Sequence, residues 1–126
     1  REETFSVLSG DDGLTLPILS VGGTGTISVV ANVEPERTCA MVGAALSGDY
    51  DRARTLHHEL GPLMRELFVE TNPIPVTEAM HLRGRGSPTV RSPLTRLAPE
   101  HRESLREVLE RYEDHTPAAE PPEAVE

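Results

Sequence analysis

The sequence contains no lysine and no tryptophan, and all twelve of its basic residues are arginine. Twenty-one aspartate and glutamate residues outnumber these arginines and give the chain a formal net charge of -9. Nucleic acids and anionic membrane surfaces gain affinity from clustered lysine and arginine side chains. The composition therefore predicts a protein that binds neither nucleic acid nor a membrane.

Aromatic residues are also scarce, since they make up only 3% of the chain. An acidic, lysine-free surface with few aromatic residues is typical of proteins adapted to high internal salt. In such proteins the carboxylates keep the surface hydrated, and the salt screens their mutual repulsion. The composition thus suggests a halophilic protein.

One cysteine, Cys39, is present, which excludes an internal disulfide. It lies in an apolar helical stretch without a nearby basic partner, and this setting favours a buried, unreactive thiol. Apolar runs of about 18 residues are absent, and so is a basic segment followed by an apolar one. Neither a membrane span nor a signal peptide is indicated, and we expect a cytoplasmic location.

The first part of the chain alternates between strand and helix patterns. Residues 4–9 predict a short strand, and residues 14–21 predict a short helix with a proline near its start. Residues 25–31 are nearly all β-branched or apolar, which predicts a strand buried on both faces of a parallel sheet. Residues 35–46 predict the next helix, so the order is that of βα units.

The second part of the chain predicts helices only. Residues 50–70 carry an apolar stripe at steps of three and four, which predicts a long helix with one face in a core. Shorter helices are predicted at residues 76–82 and 99–112, with a loop at residues 84–93 between them. The stripe of the long helix comprises Ala53, Leu56, Leu60, Leu63, Met64, Leu67 and Phe68.

General motifs for metals and cofactors are missing. His57 and His58 adjoin Glu59, but neighbouring side chains on a helix point in different directions and cannot share a metal. The glycines at residues 22–25 lack the Gly-Lys pair of a phosphate-binding loop, and no serine lies in a Gly-x-Ser-x-Gly frame. We therefore predict no metal site and no cofactor.

Three segments carry most of the information: residues 5–12 (FSVLSGDD), 22–32 (GGTGTISVVAN) and 67–76 (LFVETNPIPV). In order and spacing they resemble the seventh strand with its loop, the eighth strand and the C-terminal signature of the dihydrodipicolinate synthase (4-hydroxy-tetrahydrodipicolinate synthase) family. The NPIPV part of the third segment favours this synthase over sialate lyases and sugar-acid aldolases. One departure is Thr77, where members of the family commonly carry lysine.

The resemblance implies an α/β fold that consists of the last two βα units of a (β/α)8 TIM barrel and a C-terminal helical region. Residues 1–49 correspond to strands seven and eight with their helices, and residues 50–115 correspond to the helical region. Residues 116–126 are expected to form a disordered acidic tail. A complete barrel takes about 250 residues, so the chain is expected to be a fragment of a longer polypeptide.

The family forms a Schiff base between pyruvate and a lysine, and a tyrosine and a threonine then relay protons. An imine requires an amine that can lose its proton, and arginine cannot do so near neutral pH. The lysine-free chain therefore lacks the catalytic group of the family. Tyr50 and Tyr112 lie in helical segments that do not match the family's tyrosine motif. We assign no catalytic residue to this chain.

The positions that the resemblance places in the substrate-binding site are Gly10, Asp11 and Ile27. For Ile27 the family resemblance implies that the main chain, rather than the side chain, lies near bound pyruvate. Each residue also has a purely structural interpretation. Gly10 could serve as a turn at a strand end, Asp11 as a helix cap and Ile27 as a core residue.

The function implied by the resemblance is that of a pyruvate-dependent lyase in lysine and diaminopimelate biosynthesis. Its expected partners are pyruvate and aspartate semialdehyde, together with further copies of the chain, since the family forms tetramers. Two alternatives stay open: a 2-keto-3-deoxy sugar-acid aldolase of the same family, and a non-catalytic remnant with a role in binding. An upstream reading frame with a Gly-x-Lys strand would favour the lyase, whereas a start codon directly upstream would favour the remnant.

Molar salt should stabilise this chain. We expect the free energy of unfolding in urea to rise between low salt and molar KCl, because salt screens the repulsion among the excess carboxylates. Sucrose at the same osmolality serves as the control, since it is excluded from the protein surface but does not screen charge. Equal solubility and equal stability at low and at molar salt would contradict the halophilic interpretation.

Overall fold

The computed structural model describes residues 5–113 of the 126-residue chain. In this part of the chain two short strands and five α-helices follow one another. They are β1 (Leu8–Ser9), α1 (Thr15–Ser20), β2 (Gly25–Thr26), α2 (Pro35–Leu46), α3 (Tyr50–Glu66), α4 (Ile74–Leu82) and α5 (Pro99–Glu110). A 3₁₀ turn follows each strand, at Asp12–Leu14 after β1 and at Val30–Asn32 after β2. The expected tail at residues 116–126 lies outside the described residues.

All five helices predicted from the sequence are confirmed, with small shifts at their ends. Helix α2 begins at Pro35, whose fixed backbone angle suits a first helical turn. Helix α3 begins after Asp49, whose carboxylate accepts a hydrogen bond of 3.1 Å from the N–H of Arg52. This helix continues through Pro62 and ends at Glu66. Within residues 5–113, no helix is long and apolar enough to cross a membrane.

The two strands are much shorter than the sequence pattern predicts. β1 pairs in parallel with β2, with Leu8 opposite Gly25 and Ser9 opposite Thr26. The prediction that residues 25–31 form one strand buried on both faces is wrong, because β2 ends at Thr26 and the Ile27 side chain is 73% exposed. Beyond Ile27 the chain enters the second 3₁₀ turn, and the N–H groups of Val29 and Val30 bind the Asp12 carboxylate instead of a neighbouring strand.

The main core lies among the residues that follow β2 and the helices α2 to α5. Its centre is a fully buried stripe of Leu60, Leu63 and Leu67, which recur at steps of three and four and so share one face. Further buried residues surround this stripe: Val30, Val33, Met41, Met64, Ile74, Val76, Ala79, Leu97, Leu105, Val108, Leu109 and Tyr112. One core therefore joins the segment after β2 to the C-terminal helices.

A second, smaller core attaches α1 to the helices that follow it. Leu19 of α1 packs against Ala44 and Ala45 of α2 and against Ala53 of α3. The alanine side chains are small, so the helices can approach one another closely here. This contact fixes α1, which connects the two strands, against the larger helical body.

Two predictions about burial are wrong. Phe68 was expected in the apolar stripe of the long helix, but its side chain is 49% exposed because α3 ends at Glu66 and a turn follows. Cys39 was expected to be buried, but it is exposed. Helix α2 buries Thr38, Met41 and two alanines on its inner face, and Cys39 lies on the opposite side of the helix.

A buried carboxylate links α4 to α5. The Glu78 side chain is 2% exposed, and its Oε1 accepts a hydrogen bond of 2.6 Å from Nε of Arg102. Arg96, in the loop before α5, lies 3.3 Å from Oε2. Burial raises the pKa of Glu78, but the hydrogen bonds and charges of Arg102 and Arg96 outweigh burial and leave this pKa below its ordinary value. The carboxylate is therefore ionised near neutral pH and depends on the two arginines.

A second carboxylate fixes the start of α5. Oε1 of Glu70 accepts hydrogen bonds from the N–H of Ala98 at 3.0 Å and from Nδ1 of His101 at 2.7 Å. These contacts lower the pKa of Glu70, with the Ala98 hydrogen bond as the main cause. The hydrogen bond to Glu70 raises the pKa of His101, and the charges of Glu70, Glu100 and Glu66 raise it further against the opposing effect of burial.

Removing Arg102 should destabilise the chain more than changing Glu78. Arg102→Leu leaves a buried carboxylate with one weaker partner, and we expect it to lower the free energy of unfolding by about 2 kcal/mol. Glu78→Gln should cost about 1 kcal/mol, because Arg96 and Arg102 are 56% and 38% exposed and can return to water. Urea unfolding at constant salt measures both values. The control is Arg106→Leu, which removes an exposed 4.0 Å pair and should change little.

The Glu70–His101 pair should make stability depend on pH. The pKa of His101 is raised in the folded chain. The stabilisation that the protonated His101 gains from Glu70 is therefore complete below the unfolded pKa of about 6.5, and it is lost as pH rises through the folded pKa. We expect the difference in stability between the unsubstituted chain and His101→Gln to shrink as pH rises from about 6 to about 8. Urea unfolding across this range measures that difference, and a pH-independent difference would contradict the assignment.

Candidate functional site

The two strands end at the same edge of the sheet, and the residues after them meet there. Because β1 and β2 run in parallel with Ser9 opposite Thr26, Gly10 and Ile27 follow at this edge. The N–H of Ile27 donates a hydrogen bond of 2.8 Å to the carbonyl oxygen of Ser9. The three residues predicted to bind a substrate, Gly10, Asp11 and Ile27, therefore lie close together at the carboxyl ends of the strands.

Hydroxyl groups tie these strand ends together. Thr15 is fully buried, and its Oγ1 lies 3.1 Å from the carbonyl oxygen of Asp11 and 3.1 Å from Oγ1 of Thr26, so its single proton can reach either acceptor. Oγ1 of Thr26 donates to the carbonyl oxygen of Ser9 at 3.2 Å. The buried Ser9 hydroxyl donates to the Asp11 carbonyl oxygen at 2.7 Å. The backbone of the edge is therefore held by side chains as well as by the sheet.

A buried carboxylate spans the same edge. Asp12 is 3% exposed, and its Oδ1 accepts a hydrogen bond from the hydroxyl of Ser28. Its Oδ2 accepts hydrogen bonds from the N–H groups of Val29 at 3.0 Å and Val30 at 3.1 Å. The loop after β1 is in this way connected to the loop after β2.

The structural interpretations of the predicted site residues have different outcomes. Gly10 lies in a bend directly after β1, and a Cβ added there would meet no atom within 4 Å. Asp11 caps the first 3₁₀ turn, because its Oδ1 accepts a hydrogen bond of 2.8 Å from the N–H of Gly13, which confirms the cap. The interpretation of Ile27 as a core residue is wrong, since its side chain is exposed. Their roles in substrate binding remain predictions.

Sequence reasoning assigned no role at this edge to Asp12, Thr15, Thr26 or Ser28. One signal was available, because Thr26 and Ser28 interrupt an otherwise apolar run at alternate positions. Residues two apart in extended backbone share a face, so two hydroxyls on one face indicate polar partners nearby. The contribution of Asp12 could not be predicted, because its partners lie 16 to 18 residues away in sequence.

The structure also contains a cleft of about 430 Å³. It lies between the segment after β2 and the start of α4. Its wall consists of Val29, Asn32, Asn72, Pro73, Val76, Thr77, Met80, Arg85 and Ser87. The third of the informative sequence segments, residues 67–76, thus lines a cleft together with Val29 and Asn32, which follow β2.

Catalytic groups of other kinds are not assembled in the part of the chain that the structure describes. No three His, Cys, Asp or Glu side chains in residues 5–113 are grouped so that they could hold a metal ion. The hydroxyl of the buried Tyr112 donates to the carbonyl oxygen of Glu59 at 2.7 Å. Burial raises the pKa of Tyr112, so the phenol is a poor proton donor and has a structural role.

Comparison with known proteins gives one consistent answer. The dihydrodipicolinate synthetase family matches residues 1–112 of the chain. The 4-hydroxy-tetrahydrodipicolinate synthases of Haloarcula marismortui and Natronomonas pharaonis are 72% and 70% identical to it over 109 residues. The crystal structure of dihydrodipicolinate synthase from Aquifex aeolicus is 50% identical and superimposes with a TM-score of 0.86.

The lengths of these proteins differ greatly from that of the chain. The matches to the two archaeal synthases cover 86% of the chain but only 36% and 37% of the relatives. The match to the Aquifex aeolicus structure covers 87% of the chain and 38% of that protein. The chain therefore spans little more than a third of the length of the relatives it matches.

Proposed function

Because this chain belongs to the dihydrodipicolinate synthetase family, we propose that it forms the C-terminal part of a 4-hydroxy-tetrahydrodipicolinate synthase. The whole enzyme is a lyase that condenses pyruvate with L-aspartate semialdehyde on the route to lysine and diaminopimelate. The observation that carries this proposal is the identity of 72% over 109 residues with a synthase of that name. Because the chain covers only 36% of that synthase, we assign the activity to a longer polypeptide of which the chain is a part.

In this proposal β1, α1, β2 and α2 are the last two βα units of a (β/α)8 barrel. Residues 1–49 belong to the barrel, and residues 50–115 form the helical region that follows it. The exposure of apolar side chains at the sheet supports this arrangement, since Phe5 is 75%, Leu8 49% and Leu14 54% exposed. A sheet of two strands is marginal by itself, and further strands would pair with its edges and cover these side chains.

The chemistry assigned to the whole enzyme is Schiff-base catalysis. A lysine amine attacks the carbonyl carbon of pyruvate, water leaves, and the resulting imine loses a proton to give the enamine that attacks the aldehyde. This chain has no lysine, so the amine comes from the part of the enzyme that the chain does not span. Alone, the chain is expected to be inactive.

The contribution of this chain is one wall of the pyruvate site. Gly10, Asp11 and Ile27 lie at the carboxyl ends of the strands, where enzymes of this barrel type place their active sites. The Ile27 main chain is the group that we assign to the neighbourhood of bound pyruvate. Gly10 and Asp11 follow the adjacent strand and border the same space.

The partners of the whole enzyme are its two small substrates and further copies of itself, and a tetramer is the assembly that we propose. Nucleic acid, membranes, metals and cofactors have no place in this function. The acidic and lysine-free composition fits an enzyme that works in the cytoplasm of a cell with high internal salt.

A hybrid enzyme tests the proposal. In this hybrid the matching 109 residues of the Haloarcula marismortui synthase are replaced by those of this chain. Borohydride reduction with labelled pyruvate at high salt should trap the label on the hybrid, because the lysine and the pyruvate site are then in one protein. The isolated chain should retain no label, since it has no lysine that could form the imine that borohydride reduces.

The unsubstituted Haloarcula marismortui synthase is the positive control in the same experiment. A label on that control but not on a folded hybrid would contradict the proposed function. The choice of substrate is tested with hybrid enzyme that has not been treated with borohydride. Turnover of aspartate semialdehyde supports the synthase, whereas cleavage of a 2-keto-3-deoxy sugar acid would make the chain part of the alternative aldolase.

A further inference from the structure

The peptide that follows Ile27 is held from both sides by hydrogen bonds. On one side the N–H of Ile27 is bound to the Ser9 carbonyl oxygen at 2.8 Å. On the other side the Ser28 hydroxyl donates to Oδ1 of Asp12 and accepts a hydrogen bond of 2.9 Å from the N–H of Ala31. No described residue donates a hydrogen bond to the Ile27 carbonyl oxygen. Within residues 5–113 the peptide between Ile27 and Ser28 is therefore held on both sides, and its carbonyl oxygen accepts no hydrogen bond.

Asp12 makes the largest contribution to this fixation. It binds the Ser28 side chain and the next two peptide N–H groups, those of Val29 and Val30, so three successive residues after Ile27 depend on one carboxylate. No arginine or histidine among the described residues forms an ion pair with Asp12. A carboxylate that is 3% exposed requires these three hydrogen bonds to offset the loss of water.

We infer that Asp12 is a positioning residue of the active site, which holds the Ile27 carbonyl in register with bound pyruvate through Ser28 and the N–H groups of Val29 and Val30. This inference rests on the proposed function. Asp12 acts through these partners, because its side chain is buried and its hydrogen bonds go to Ser28, Val29 and Val30. Its effect on the reaction is geometric, and displacements of about 1 Å in an active site can lower a rate by about 100-fold.

Asp12→Asn in the hybrid enzyme tests this inference. The substitution keeps the size of the side chain but replaces one acceptor oxygen by an NH₂ group, which repels N–H donors. We expect kcat to fall by about tenfold or more, while the KM for pyruvate changes by less than about threefold. The rate at which borohydride traps the pyruvate label in a single turnover should fall together with kcat.

Ser28 supplies a second test that does not alter the carboxylate. Ser28→Ala removes the hydroxyl that connects Asp12 to the peptide after Ile27, and it should also lower kcat. Ser28→Thr keeps a hydroxyl and should restore a large part of the lost rate. A loss of equal size in the alanine and the threonine variants would overturn the inference, because the hydroxyl would then be irrelevant.

Asp49→Ala is the control for general destabilisation, because it removes a helix cap without changing the strand ends. Asp49 caps α3 through the N–H of Arg52, far along the chain from the strand ends. We expect its variant to keep kcat within about twofold of the unsubstituted hybrid, even where its urea midpoint falls as much as that of Asp12→Asn. Equal losses of kcat in both variants would overturn the inference in favour of general destabilisation.

The unsubstituted hybrid separates a failure of this inference from a failure of the proposed function. A folded hybrid that neither traps pyruvate nor turns over pyruvate with aspartate semialdehyde would contradict the proposed function. The positioning role of Asp12 would then be rejected with it. An active hybrid whose Asp12→Asn variant is folded and retains full kcat rejects the positioning role alone.

Discussion

Two strands of two residues each cannot hold a sheet together through their own ladder, so this structure depends on the side chains at the strand ends. Asp12 connects the loop after β1 to the loop after β2, and the Thr15 and Thr26 hydroxyls fill the space between them. These hydrogen bonds are wholly or partly buried, so little water competes for the same groups. The position of Ile27 relative to β1 depends on this small polar cluster, whereas α1 is also held by its packing against α2 and α3.

The use of arginine as the sole basic residue has opposite effects on structure and chemistry. Structurally, the guanidinium groups of Arg37 and Arg83 both contact Glu34 at 2.9 Å, and Arg96 and Arg102 share Glu78. A planar group with five donors suits such shared contacts better than an ammonium does. Chemically, the same group cannot form an imine near neutral pH, so the arginines cannot replace the lysine in the Schiff-base step that we propose for the whole enzyme.

The helices could be predicted from the sequence because their apolar residues recur with the helical period and their ends carry proline, aspartate or glycine. The strands could not be delimited in the same way. A run such as residues 25–31 has the composition of a buried strand, but its length depends on neighbours, and here Asp12 binds the N–H groups of Val29 and Val30. The exposure of Phe68 and Cys39 was missed for related reasons. Composition alone does not tell where α3 ends, and it does not tell which face of α2 packs against the core.

The candidate site was partly predictable. The family resemblance assigned Gly10, Asp11 and Ile27 to one site, and the parallel pairing of β1 with β2 explains why these residues lie at the same edge of the sheet. The connections between them were hidden, because they join hydroxyl and carboxylate groups that lie far apart in the sequence. One further consequence concerns synthesis on the ribosome. Among residues 5–113 the main core draws only on residues from Val30 to Tyr112, so this segment can bury its apolar side chains as it leaves the ribosome, without depending on the pairing of the two strands.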